Sequence, residues 1–229
     1  MTVVIISLLC GLGLVGFKNA LAASRSSRGA ANLHQLGMTV ALFVAEHGYY
    51  PPGAGQAEEG PTGVGFWYDV ISPYWGAEPP LAWSNGGTKP NVNVPSMVDS
   101  PAKAIKTAKS QVAFTANPDL MPDIIFSTPK PLIRAAKIQR ASEIIMLMDG
   151  VQAPGNGVVL PYTYDISGRS NDPARSGEVF SPFQNLDNGK ALPRFRHRNE
   201  KFMQAVFVDG HVDYIANGTL TRGNFSVEY

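Results

Sequence analysis

Residues 1–47, MTVVIISLLCGLGLVGFKNALAASRSSRGAANLHQLGMTVALFVAEH, set the architecture of this chain. Met1–Phe17 carries no charged residue, Lys18 is the first, and proline does not occur before Pro51. An apolar and then periodic run with no breaker predicts one long helix. His47-Gly48 ends it, with Gly48 as the left-handed residue past the last turn, and Pro51-Pro52 forbid continuation. The halves differ. Residues 1–23 are greasy, through Val3, Val4, Ile5, Ile6, Leu8, Leu9, Leu12, Leu14, Val15 and Phe17. Residues 24–47 are amphipathic. Leu33, Leu36, Val40 and Val44 recur at spacings of three or four and make one stripe, whereas Arg25, Arg28, His34, Gln35 and Glu46 lie largely elsewhere. The stripe is expected to pack on a globular head, residues 48–229. The greasy half has to be buried in a membrane or among copies of itself.

A signal peptide is a poor reading of that half. Nothing basic precedes the apolar run, and the helical pattern continues through the cleavage-like Ala20-Leu21-Ala22. A membrane helix fits better. The seventeen residues Met1–Phe17 sit at the short end of the spanning range of about 17–25, and Ala20–Ala23 extends the span if Lys18 snorkels. Gly11, Gly13 and Gly16 are poor residues for a lone soluble helix. In a packed array they permit close approach or local unwinding.

Composition sets bounds on the rest. A length of 229 residues allows one sizeable domain with an appendage. A net charge of +1 and 44% hydrophobic residues point away from a nucleic-acid-binding or disordered chain. Only 16% of residues are charged, while 23 Gly and 18 Pro favour a loop-rich, β-containing head over a helical bundle. Cys10 is the one cysteine, so no intramolecular disulfide exists and the compartment is not reported by cysteine usage.

The order of several short motifs resembles a family. Ala30-Ala31-Asn32-Leu33-His34-Gln35-Leu36-Gly37 is followed by Gly48-Tyr49-Tyr50-Pro51-Pro52. Ala116-Asn117-Pro118 and Leu120-Met121-Pro122 come next, then Ala141-Ser142-Glu143-Ile144-Ile145-Met146 with Asp149-Gly150. Arg196-His197 and Val206-Phe207-Val208-Asp209-Gly210-His211-Val212 close the series. This resembles the type IV pilin-like proteins, within them the bacterial group with a prepilin-type N-terminus and a C-terminal H-x9-DG motif. The family's cleavage signature, a basic leader with Gly and then Phe-Thr-Leu-Ile-Glu, is not in the sequence. Either Met1 lies inside the family's apolar segment, or it is a mature N-terminus with Ile5 where the family has an acidic residue. His197 and Asp209 are separated by eleven residues rather than nine, which lengthens the closing loop.

Fold and function follow as expectations. The fold class is α+β, a long N-terminal helix packed on a small antiparallel sheet with long loops. The resemblance implies a structural, non-enzymatic subunit of an extracellular filament that polymerises through residues 1–23. Its partners would be identical subunits, the inner membrane before assembly, a prepilin peptidase and the pilus assembly machinery, with no cofactor and no nucleic acid. Its location would be the bacterial cell envelope, and then the cell surface. Two other readings stand beside it: a minor pseudopilin of a type II secretion or DNA-uptake machine, and a membrane-anchored domain that binds carbohydrate or a metal. The positive-inside rule would put Lys18, Arg25 and Arg28 in the cytoplasm, against the resemblance, and a basic leader ahead of Met1 would resolve the conflict.

Within the head, Tyr49–Asn93 is expected to be loops with little strand and a short helix or turn at Phe66–Tyr74. Its aromatics Trp67, Tyr68, Tyr74, Trp75 and Trp83 serve packing or an exposed patch for carbohydrate or a neighbouring subunit. Lys103, Lys106 and Lys109 on a short helix or turn read as a solvated face. Ile124-Ile125-Phe126 and Ile144–Met148 are expected strands, the second buried. Asn156-Gly157 is a possible hairpin turn, and Tyr164–Asp187 a long surface loop. Asp209-Gly210 between β-prone runs predicts a type I′ hairpin with positive φ at both residues. His197, Asp209, His211 and Asp213 are the one metal-ligand-like cluster. The plainer reading is that Asp209 caps the turn, His211 and Asp213 face solvent, and His197 ties the closing loop to the hairpin. No G-x-S-x-G, Walker or G-x-G-x-x-G pattern occurs. The sequons at Asn217 and Asn224 carry no weight in a bacterial chain.

Overall fold

The computed structural model describes residues 2–56, 64–75, 112–125, 130–152, 173–187 and 190–227, with helix side chains from Gly16 onward. Helix α1 spans Thr2–His47. It ends as its sequence dictates. Gly48 takes φ +76° and its N–H donates to Val44 O at 2.8 Å, which satisfies one of the last free carbonyls. His47 Nδ1 lies 3.0 Å from Phe43 O and satisfies a second.

The head is built on one antiparallel sheet. Strands β3 (Phe114–Ala116), β4 (Ile145–Asp149), β5 (Phe202–Phe207) and β6 (Val212–Ala216) lie side by side in chain order. A smaller two-stranded sheet pairs β1 (Ala54–Gln56) with β2 (Val64–Phe66), and the short helix α2 (Trp67–Ile71) follows it. The architecture is α+β, one long N-terminal helix with small antiparallel sheets. Both faces of the larger sheet are covered, which explains why Ile144–Met148 is continuously apolar rather than alternating. Leu33, Leu36, Val40 and Phe43 of α1 pack on one face with Met146, Leu147 and Val206. On the other face Ile145, Met203, Ala205 and Phe207 meet Phe195, Leu220 and Phe225, with Phe180 and Phe183 alongside. Strand β5 shows the period of two cleanly, sending Gln204 and Val206 towards α1 and its odd-numbered residues away. In β4 the register slips between Ile145 and Leu147 opposite β5, a bulge that changes which face each residue serves.

Gly37 sets the distance between helix and sheet. A Cβ there would lie 2.8 Å from Val206 Cγ2 and 3.3 Å from Met146 Cε. Without it α1 settles directly onto β4 and β5.

Several expectations need correction. The β5–β6 turn is not type I′. Phe207 and His211 pair through Phe207 N–H to His211 O at 2.9 Å, and Gly210 N–H returns to Phe207 O at 2.9 Å. Gly210 has φ +91°, while Asp209 does not have positive φ. This is a three-residue loop, a tight turn closed by one left-handed glycine. Ile124 and Ile125 do not form a strand, because Asp123 Oδ1 accepts the Ile125 N–H at 2.8 Å and turns the chain. Among the described residues of Tyr49–Asn93, strand is confined to Ala54–Gln56 and Val64–Phe66, as little as expected, and Phe66–Tyr74 holds the short helix and a 3₁₀ turn. Residues 173–187 are the expected surface loop, mostly exposed and irregular apart from one 3₁₀ turn, but they are tied to the head. Phe180 N–H bonds Leu220 O at 2.8 Å, and Phe180 and Phe183 cover the sheet. The lysine row at 103–109, Trp83, Asn156-Gly157 and residues 164–172 lie outside the described residues, as do the side chains of Val3–Val15.

Candidate functional site

The point where α1 meets the head is built from polar groups rather than apolar ones. In chain order, Phe17–Arg25 of α1 is exposed and Ser26 is the first residue drawn towards the head. Ser26 extends the stripe of Leu33, Leu36 and Val40 backwards, since it stands seven residues, two helical turns, before Leu33. Its Oγ lies 2.7 Å from His197 Nδ1. His197 Nε2 lies 3.0 Å from Asp149 Oδ2, and that oxygen also accepts the Gln204 N–H at 2.8 Å. Gln204 Nε2 donates to Ser26 O at 2.8 Å and to the Tyr214 hydroxyl at 2.7 Å. The Tyr214 ring stands edge-on to the His197 ring. Both His197 and Asp149 are buried. One chain of hydrogen bonds therefore runs from the helix through the histidine into the sheet.

The fold delivers each member for a local reason. Asp149 ends β4, and Gly150 follows it because a Cβ at 150 would lie 2.7 Å from Thr115 Cβ on β3. His197 is held by a backbone that few residues adopt. Arg198, Asn199 and Glu200 all have positive φ, 46°, 60° and 62°, and Lys201 N–H closes the turn on His197 O at 3.1 Å. Left-handed residues other than glycine cost roughly 1–2 kcal/mol each. Contacts around the turn offset that cost. Asn185 Nδ2 donates to Phe195 O and Glu200 O, and the Arg198 guanidinium stacks on the Tyr214 ring, 4.3 Å from its centroid.

A second polar staple sits behind the first. The buried Arg196 Nη2 donates to Gly150 O at 2.7 Å and to Asp187 Oδ1 at 3.0 Å, while Arg194 Nε reaches Asp187 Oδ2 at 3.1 Å. Burial alone would raise the Asp187 carboxyl, but Arg196 and Arg194 hold it below the usual carboxylate range.

Serine, histidine and aspartate are also the residues of a nucleophile–base–acid chain. With Nε2–H given to Asp149, Nδ1 is left to accept the Ser26 hydroxyl proton. Ser26, however, sits inside α1, where the backbone N–H groups next to it are used in the helix ladder. The donors that an oxyanion needs are not free there. The arrangement is suited to holding a helix in place.

The cluster His197, Asp209, His211 and Asp213 does not come together. His197 is turned to Asp149 and Ser26 rather than to a carbonyl of the hairpin. Asp209 Oδ1 pairs with His211 Nδ1 at 2.6 Å at the exposed tip of the hairpin, and His211 stacks on Phe207. Asp213 Oδ1 accepts the Tyr214 N–H at 2.7 Å. Among the described residues no group of three or more His, Cys, Asp or Glu is placed to hold a metal. Leu33, Leu36 and Val40 are fully buried against the sheet, and Val44 packs beside them. Trp67 is fully buried as well. Ser26, Gln204 and Tyr214 were not singled out by the sequence reading; the signal for Ser26 was its helical phase with Leu33.

The far side of α1 is different again. Phe17, Leu21, Met38 and Leu42 are 67%, 40%, 51% and 55% exposed. At 100° per residue they fall within an arc of about 100° that faces away from the buried stripe. Among the described side chains, those from Gly16 on, no helical stretch is long and apolar enough to cross a membrane. No protein-family model matches the chain, and no curated protein or solved structure is significantly similar to it.

Proposed function

We propose that this chain is a type IV pilin-like subunit that polymerises through α1 into an extracellular filament. The observation that carries the reading is the two-sided helix. One side of residues 29–44 is consumed in the head, while the other side and residues 17–25 keep large apolar side chains in solvent. Exposed apolar surface at that density marks an interaction site. Here the occupant is the same helix of other copies. As a monomer, the subunit would keep residues 1–23 in the inner membrane. Extraction by the assembly machinery would leave them to be buried again by stacking. Apolar burial contributes about 25 cal/mol per Å² and opposes the cost of association. Head-to-tail contacts that do not close on themselves give a helical fibre. The Ser26–His197–Asp149 chain supports this reading, because a polymer held by its helices needs a head that does not swing on them.

Cryo-electron microscopy of surface material sheared from cells making the chain tests the proposal. Fibres with Met1–Ala23 in a central helical core are the expected result. A chain that stays in the membrane fraction, with no fibre containing it, would sink the structural-subunit reading in favour of a low-copy pseudopilin or an anchored binding domain.

A further inference from the structure

Several exposed cations gather around the helix–head junction. Arg25 and Arg28 flank Ser26 on α1, and Lys18 stands about 10 Å earlier along the helix axis than Arg25. The Ser26–His197 bond of 2.7 Å brings the left-handed turn 198–200 alongside, so that exposed Arg198 and Lys201 join them. None of these five side chains is ion-paired among the described residues. Glu200, the acid in that turn, lies 3.9 Å from Arg194 Nη1 on its inward side. A chain with a net charge of only +1 has thus gathered unpaired cations into a collar where the helix leaves the head. Arg198 is also pre-positioned. Stacking on Tyr214 and Phe202 uses the face of its guanidinium and leaves the edge N–H groups for an oxyanion.

We propose that Lys18, Arg25, Arg28, Arg198 and Lys201 form a docking surface for the phosphate groups of an anionic lipid bilayer. The proposal rests on the reading that residues 1–23 enter a membrane, because that places the collar at headgroup level. It adds that the head, and not only the helix, recognises the bilayer. Arg198 opens and Lys201 follows the three successive non-glycine residues at positive φ, next to the turn of α1 that carries Ser26, and strained backbone of this kind persists where a site requires it.

The test is spin-label electron paramagnetic resonance on the full chain reconstituted in phosphatidylcholine vesicles. Trace spin-labelled phosphatidylglycerol is compared with trace spin-labelled phosphatidylcholine. Motionally restricted lipid of either kind reports the inserted helix. The ratio between the two reports the collar. A severalfold preference for phosphatidylglycerol is expected, with a ceiling of roughly fivefold per engaged basic residue. It should shrink as salt rises from about 0.1 M to about 1 M and the Debye length falls from about 10 Å to about 3 Å. The Arg25→Gln/Arg28→Gln/Arg198→Gln/Lys201→Gln variant, with Lys18 kept, should lose most of it. The Arg25→Gln/Arg28→Gln variant, which spares the stacked Arg198, should lose part. Restricted lipid with no headgroup preference, or a preference unchanged in the fourfold variant, overturns the proposal and leaves the inserted helix standing. A preference abolished by double-stranded DNA at equal phosphate assigns the surface to nucleic acid and also overturns it. No restricted lipid of either kind removes the membrane reading itself.

Discussion

The two halves of α1 share one backbone and divide the work. From Gly29 to Val44 the helix is part of the head: Leu33, Leu36 and Val40 are fully buried, and Gly37 lets the backbone sit on β4 and β5. From Phe17 to Arg25 every residue is exposed. Ser26 marks the change. Helix propensity cannot account for the difference, because both halves are helical. Tertiary packing is what stabilises a helix in water, so the bare half has no such support from its own chain. In the proposed function, that support comes from a bilayer or from neighbouring copies.

The comparison is broken most severely by removing His197. His197→Ala would strand the fully buried Asp149 carboxylate with one backbone N–H, and losing one partner of such a pair costs about 3–5 kcal/mol. Urea unfolding followed by head fluorescence should show it as a lower midpoint. A midpoint like that of the wild type would mean that the histidine contributes little to the junction. Leu36→Ala should cost about 2–5 kcal/mol, whereas Phe17→Ala should stay within about 0.5 kcal/mol in the monomer while impairing filament yield. Equal destabilisation by both would show that the outer half has contacts within its own chain.

Acidity sharpens the contrast at the other end of the packed half, where α1 meets α2. Asp69 is 6% exposed, and burial pushes its carboxyl up to about 7 although the Phe66 N–H bonds it. The folded state therefore holds its proton more tightly than the unfolded one. Head stability is fully present below about pH 4 with respect to this group, falls as pH rises, and has lost its share above about pH 7. The total is on the order of 4 kcal/mol. Asp69→Asn keeps an acceptor for Phe66 N–H and should flatten that slope in denaturation midpoints measured from pH 4 to 8. An unchanged slope would place the titration elsewhere.

Ser26→Ala is the most local change. It should cost about 1 kcal/mol, the worth of one hydrogen bond, and it should speed amide exchange in α1 around residues 22–30 more than in residues 33–44. Uniform acceleration along the helix would mean that Ser26 does not set the boundary.

The hairpin shows where local signals stop. Asp209-Gly210 correctly marks a reversal between two strands. Which turn forms depends on how β5 and β6 pair, and Phe207 opposite His211 demands three residues, of which only Gly210 needs positive φ. The metal-like grouping failed for a similar reason. Alternation along one strand says nothing about a histidine that a left-handed turn sends into the other end of the sheet. Nothing local to Asp149 points to His197, and only the pairing of β4 with β5 brings the two together.

What the sequence determines by itself is local and periodic. The absence of proline before Pro51, the stop at Gly48 and the three-and-four spacing of Leu33, Leu36 and Val40 fix a long helix and its inward side, because backbone sterics and helical phase act along the chain. The apolar run Ile144–Met148 likewise fixes a buried strand. The tertiary structure decided what no short segment contains: the covering of both sheet faces, the bulge in β4, and the meeting of Ser26, Asp149 and His197. Those three lie 171 and 48 residues apart along the chain for their two bonds. Their contact depends on register, on a glycine at 37 and on a strained turn at 198–200, and each of these is set by the packing of the whole head.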